Sequence, residues 1–336
     1  MNSIPEELLT IILSKLPIKT FTTFKLVCKQ WDSILDSPYF RDLFHSTHQN
    51  SSWSLMSSDY EKEHIVQYRF NSWGLERSLG SYISSFLTKK FGSQRHKYRV
   101  WSYAEVGLIL ISEVKYHGKN RSLYVANPIT HECIKIPSHN AHHKVYSWPL
   151  GITTRTEKGV VLDYKVVLYR KNNLLIYSSH TCLWSVYKTM LLYPSMKEAN
   201  FIRFCSTCQG SLMYMNVVPV TKADGTLEDT LCVWRLKSWE WQLVSEIAWD
   251  LIDDTDCSRH FPLGINPFDA KIVYFGNTNM KQRLLSINLH SRSMQRSFLH
   301  SEMERDRNGI IQLKSTEFEK SCVFPQWVHK IPVTTK

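Results

Sequence analysis

Hydrophobic residues in the first 45 positions recur at helical spacing, whereas beyond about residue 98 they fall into short alternating runs broken by polar turns. The chain therefore changes secondary-structure class part-way along. Leu8, Ile12 and Leu16 come every fourth residue, with Leu9 and Leu13 on an adjoining stripe. That apolar face is wider than one surface helix needs. Ser3 and Glu6 have the spacing of a capping box, in which each side chain satisfies the other's backbone N–H. Pro5 falls in the first turn, where its missing N–H costs nothing, and Pro17 ends the helix. A second helix is expected over about 20–27, with Phe21, Phe24 and Val27 in phase. A third is expected over about 30–35, carrying Trp31, Ile34 and Leu35 and stopped by Ser37-Pro38.

Three short helices cannot bury so many apolar groups among themselves. A wide uncovered face marks a docking surface, or else a cap packed on the rest of the same chain; the residues alone leave both open. From 46 to 97 the sequence is mixed and Ser-rich, with a strand-like run at Trp53–Met56 and a basic patch from Lys89 to Arg99. It reads as a linker with possible first β strands.

Beyond residue 98 several units share one texture of strand, turn and second strand. They begin at Leu123, Leu175, Leu231 and Leu285, which lie 52, 56 and 54 residues apart. Kelch-type propeller blades repeat at about 50 residues with four strands each. The stretch 98–336 has room for about five such units, with the strand near Trp53 a possible addition. The expectation is α+β: three N-terminal helices, then a mainly-β domain built as a propeller that hides its own sheet edges. A β-sandwich or two smaller barrels are the alternatives.

Charge and cysteine usage refine the picture. The net charge is +11, yet residues 1–45 hold five Lys/Arg and five Asp/Glu, so the excess lies entirely downstream. It serves solubility or an acidic partner of the β domain. No run approaches the ~20 apolar residues of a membrane span, and the N-terminus lacks the pattern of a secretory signal. The eight cysteines are accordingly expected as thiols in an intracellular protein of cytoplasm or nucleus.

The string Ile4-Pro5-Glu6-Glu7-Leu8-Leu9, then Ile12-Leu13-Ser14-Lys15-Leu16-Pro17, then Val27-Cys28-Lys29-Gln30-Trp31 closely resembles the plant F-box. Ile4 replaces the usual leucine, and Thr10-Ile11 stand where an acidic residue is common. The resemblance assigns 1–45 to an F-box, 46–97 to the linker and 98–336 to an F-box-associated β domain. Tyr124-Val125-Ala126-Asn127-Pro128 with Ile136-Pro137, and later Val233-Trp234-Arg235-Leu236, look like that second family's units.

The resemblance implies a non-catalytic substrate-recognition subunit of an SCF-type ubiquitin ligase. It would dock a Skp-type adaptor, and through it cullin and RING subunits, while the β domain holds a protein substrate. Adaptor contact carries over to Pro5, Leu8, Leu9, Ile12, Leu16, Val27, Cys28 and Trp31, whereas Leu13, Phe24 and Ile34 are candidates for holding the helices together.

Little else in the sequence points to chemistry. Cys205 and Cys208 have half-site zinc spacing without a second pair, and His139, His142 and His143 read as a polar loop. The nucleophile-elbow, phosphate-loop and zinc-protease motifs are absent. No cofactor or metal is expected, nor a membrane partner. The eleven tryptophans on a basic chain keep a carbohydrate- or nucleic-acid-binding alternative open. Trp184, Trp234, Trp239 and Trp241, however, recur inside strand-like units, as packing residues would. The loops 138–148, 219–230 and 253–262 are the first guesses for a substrate face.

Overall fold

The computed structural model describes residues 4–16, 24, 27–48, 53–59, 64–69, 79–104, 106–113, 122–139, 148–157, 160–170, 173–188, 203–221, 223–248, 260–266, 269–277, 283–298, 300–301, 318–323 and 331–332. Its N-terminal helices are α1 (Glu6–Ser14), α2 (Lys29–Asp36) and α3 (Pro38–His48). The second expected helix, over 20–27, lies outside the described residues except for Phe24 and Val27. The expected capping box does not form: α1 starts at Glu6 with Pro5 at its N-cap and no side-chain cap, so Ser3 and Glu6 are out of register for the reciprocal pair. α1 stops at Ser14, ahead of Pro17, its last turn tightening as Lys15 and Leu16 donate to the Ile12 and Leu13 carbonyls.

α3 was not expected from the pattern. Ser37-Pro38 ends α2 and starts the next helix at once. The Ser37 hydroxyl donates to the Ile34 carbonyl at 2.7 Å and accepts the Phe40 N–H at 3.1 Å, while Pro38 takes the first helical position.

The β domain consists, among the described residues, of five four-stranded antiparallel sheets. The first complete one is β3 (Tyr98–Tyr103), β4 (Ile109–Glu113), β5 (Leu123–Asn127) and β6 (Glu132–Ile136). Next come β7 (Trp148–Glu157), β8 (Val160–Arg170), β9 (Asn173–Ser178) and β10 (Leu183–Lys188). Then follow β11 (Arg203–Cys208), β12 (Ser211–Thr221), β13 (Leu227–Lys237) and β14 (Glu240–Ala248). The last of the simple meanders is β15 (His260–Ile265), β16 (Ile272–Asn277), β17 (Arg283–Asn288) and β18 (Ser293–Phe298).

The remaining sheet joins both ends of the domain. β1 (Trp53–Asp59) and β2 (His64–Arg69) pair with β19 (His300–Ser301) and β20 (Phe318–Val323) in the order β19-β2-β1-β20. The stretch 98–336 thus completes four sheets rather than about five, and the fifth borrows two strands from 53–69. β3, β7, β11 and β15 touch in succession, and β20 touches both β15 and β3. Those contacts close the ring of a propeller.

The units that resemble one another in sequence are the third strand, turn and outermost strand of each meander: β5–β6, β9–β10, β13–β14 and β17–β18. Two of their turns share a mechanism. Asn127 Oδ1 accepts the Ile129 and Thr130 N–H groups, and Asn288 Oδ1 accepts those of His290 and Ser291. His131, Cys182 and Arg292 then adopt left-handed φ of 61°, 56° and 53° before the outer strand begins.

Side chains between neighbouring sheets form the core. Leu110, Val125 and Ile136 meet Ile152, Val166 and Tyr177, and further round Met213, Met215 and Val233 meet Val273, Phe275 and Ile287. Because the β3–β6 sheet is covered on both faces, Ile109, Leu110, Ile111 and Ser112 are all buried in succession. The Ser-rich stretch after β2 holds a helix rather than only a linker: α4 (Leu79–Phe91), followed by a 3-10 helix over Gly92–Lys97. Ile83, Phe86 and Leu87 of α4 pack on Val100, Ile109 and Ile111.

Candidate functional site

α1 is apolar on two sides, and the fold uses only one of them. Leu9 and Leu13 turn inward onto Ile34, Leu35, Phe40 and Phe44, a cluster with no member beyond residue 44 among the described residues. Phe40 stacks near Phe44, and Phe24 meets Trp31 edge-on at 4.9 Å. Thr10, also on the inner side, satisfies its hydroxyl by donating to the Glu6 carbonyl at 2.7 Å. On the outer side Leu8 and Ile12, one turn apart, are 54% and 50% exposed, and Ile4 and Ile11 lie open beside them. Val27, just ahead of α2, is 59% exposed.

The eight residues carried over for partner contact therefore divide. Pro5, Leu8, Ile12, Val27 and Cys28 are at the surface. Leu16 and Trp31 are half-buried against the helical core, each with part of its surface free. Leu9 is only 8% exposed and belongs to the core, so it is withdrawn from the contact set. The adjoining stripe containing Leu9 and Leu13 is the inward one, which α1 alone could not reveal. Leu13, Phe24 and Ile34 lie in or against that core, as expected. Ile4 and Ile11 were overlooked as surface residues, although Ile4 precedes Leu8 by one turn.

Burial biases two of the β domain's titratable groups toward their neutral forms. Burial, and then Glu246, pushes the Cys232 thiol up to about 11; burial followed by Cys182 pushes Tyr177 up to about 12. Cys205 and Cys208 lie three apart on one strand, hence on opposite faces, and the Cys208 thiol donates to the Asn266 carbonyl. Among the described residues no group of His, Cys, Asp and Glu is placed to hold a metal ion, and no helix is long and apolar enough to cross a membrane. His142 and His143 lie outside the described residues.

Two of the tryptophans join neighbouring elements. The Trp184 indole N–H donates to the Pro137 carbonyl at 2.8 Å, and Trp234 donates to Asn216. Of the three loops first guessed for substrate, 138–148 and 253–262 lie mostly outside the described residues, and 219–230 is the β12–β13 hairpin end.

A small helical module with an exposed apolar stripe, followed by a closed ring of sheets, defines the class: a helical module joined to a β-propeller. Comparison with known proteins makes it specific. Residues 1–43 match the F-box domain model, and residues 51–193 and 187–327 match the model described as F-box protein At3g26010-like, beta-propeller. The chain is 41% identical to F-box protein At3g28330 of Arabidopsis thaliana, covering 100% of this chain and 98% of that one. It is 50% identical to At3g28280 of the same plant over 285 residues, covering 68% of this chain and 91% of the relative. The likeness to the crystal structure of TolB from Acinetobacter baumannii is slight, with a TM-score of 0.36 and 9% identity over 79% of this chain and 70% of TolB. The chain belongs to the family of F-box proteins with a β-propeller.

Proposed function

We propose that this chain is the substrate-holding subunit of an SCF-type ubiquitin ligase, in cytoplasm or nucleus. The observation that carries the reading is the exposed stripe of α1, Leu8 and Ile12 with Ile4 and Ile11, on the side of the helix opposite the buried Leu9 and Leu13. A cap folded onto its own chain would have covered that stripe. The stripe, with Pro5, Val27, Cys28 and the free edges of Leu16 and Trp31, docks a Skp-type adaptor, which links to cullin and RING subunits. The propeller, whose repeat spacing is kelch-like, holds a protein substrate. The chain itself makes and breaks no bond; tethering raises the effective concentration of a substrate lysine near the conjugating enzyme.

The test is capture of a purified Skp-type adaptor by the full-length chain and by Leu8→Ala/Ile12→Ala. As centres of the interface the two residues are worth about 2 kcal/mol or more, roughly a thirtyfold weakening. Equal capture by both proteins would sink the assignment.

A further inference from the structure

A cleft of about 610 Å³ opens between the β7–β10 and β11–β14 sheets. Its lining comes from the ends of β7 and β8, the β9–β10 turn, the β11–β12 turn and the β13–β14 turn. In antiparallel meanders those turns share one end of the ring. β12 and β13 join at the other end, within 219–230.

The cleft's wall is built by Trp239. Ser238 and Trp239 form a two-residue turn with φ of 50° and 69°, a conformation that side chains other than glycine rarely adopt. It carries the indole across onto the neighbouring sheet, where it stacks on Tyr187 at 5.0 Å. Lys165, from that same neighbouring sheet, holds its ammonium 4.8 Å from the centre of the Trp239 ring. Leu212 supplies an apolar floor, while Thr153, Ser178 and Ser211 place hydroxyls around it.

The charges in the lining differ in how they are matched. The Arg155 Nε and Nη2 both reach Asp163 Oδ2, at 2.7 and 2.6 Å, so these two opposite charges neutralise one another. Among the described residues no carboxylate pairs with Lys165, whose ammonium rests only on the indole face. One positive charge is left beside hydroxyl donors and an apolar surface. That combination suits a monoanionic carboxylate better than a dianionic phosphate. The +11 charge of the chain, all of it downstream of the helices, favours the approach of acidic segments.

We propose that this cleft binds an acidic peptide segment of the substrate protein, one Asp or Glu carboxylate on Lys165 and its aliphatic neighbour against Leu212 and Trp239. The proposal rests on the reading of the propeller as a substrate receptor and names the chemistry of what it receives.

The test titrates the full-length chain with fluorescein-labelled octapeptide pools that differ at one fixed central residue: glutamate, glutamine or phosphoserine. The glutamate pool is expected to bind about tenfold more tightly than the glutamine pool. Lys165→Met, which keeps the stem on the indole, should erase that preference, and Lys165→Arg should keep it. Equal binding of the glutamate and glutamine pools overturns the proposal. So does a preference that survives Lys165→Met, or a phosphoserine pool that binds more tightly still through Lys165. Adaptor capture, measured on the same preparations, reports the helical module separately. Its loss in the wild type would count against the ligase reading, while the peptide titration by itself decides whether the cleft takes acidic segments.

Discussion

Adjacent side chains on α1 have opposite fates. Leu8 faces out and Leu9 faces in, so the same truncation at the two positions should produce different losses. Leu9→Ala is expected to cost about 2–5 kcal/mol by leaving a cavity against Leu35 and Phe44, seen as earlier melting of the helical signal. Leu8→Ala should leave that melt within about 0.5 kcal/mol and weaken only adaptor capture. Matching melts for the two variants would refute the division. The buried hydroxyls and thiols predict a pH response as well. Burial raises Tyr177 and Tyr274 to about 12 and Cys232 to about 11, against ordinary values of 10.0 and 9.0. Between those limits the unfolded chain holds fewer protons than the folded one, so stability falls as pH rises above about 9. Thermal melts recorded across that range should show the midpoint falling as pH rises. A midpoint that stays flat from about pH 9 to 11 would refute the burial of these groups.

At the scale of elements, single residues set how neighbours meet. Ser37 terminates α2 and caps α3 with one hydroxyl. Ser37→Ala should cost about 1 kcal/mol, and Ser37→Asp, which still accepts the Phe40 N–H, should recover much of it. Thermal melts of the full-length chain measure both. Between sheets, Gly151 of β7 brings the backbone so close to the β11–β14 sheet that an added Cβ would lie 2.5 Å from Leu212 Cδ1 and 3.3 Å from Ser102 Oγ. Gly151→Ala is expected to cost about 1–3 kcal/mol. Pairing it with Leu212→Ala should give less than the sum of the two single losses. Strict additivity would mean that the two sites do not touch.

The whole molecule depends on its ends meeting. β20 is the innermost strand of the sheet that also holds β1 and β2, and it touches both β3 and β15. Truncation after Ser301 removes it, frees the paired edge of β1 and strips packing contacts from β3 and β15. Such a chain is expected to lose its cooperative melt and aggregate, which scattering during a thermal ramp would reveal. Deletion of residues 1–48, by contrast, removes a module whose buried cluster is its own. The propeller should then melt as before while adaptor capture disappears. A propeller that unfolds with the helices gone would instead favour the cap.

The first helix and the start of α2 were legible because their signals are local: apolar residues at every fourth position, and a Val-Cys-Lys-x-Trp signature at fixed spacing. The repeat was legible too, since a third strand, an Asx-type turn and an outer strand lie within one short stretch of chain. α3 and α4 were hidden, one behind a Ser-Pro that starts a helix as readily as it ends one, the other among serines that dilute its apolar period. Which of two apolar stripes on α1 faces inward was decided by α2 and α3 packing against it. Ring closure, and the cleft that sets Lys165 beside Trp239, join residues far apart in the chain, and no periodicity within a segment records such a meeting. Local hydrogen bonding and hydrophobic spacing are written along the sequence; the choice of partner across the molecule is made only when the sheets pack.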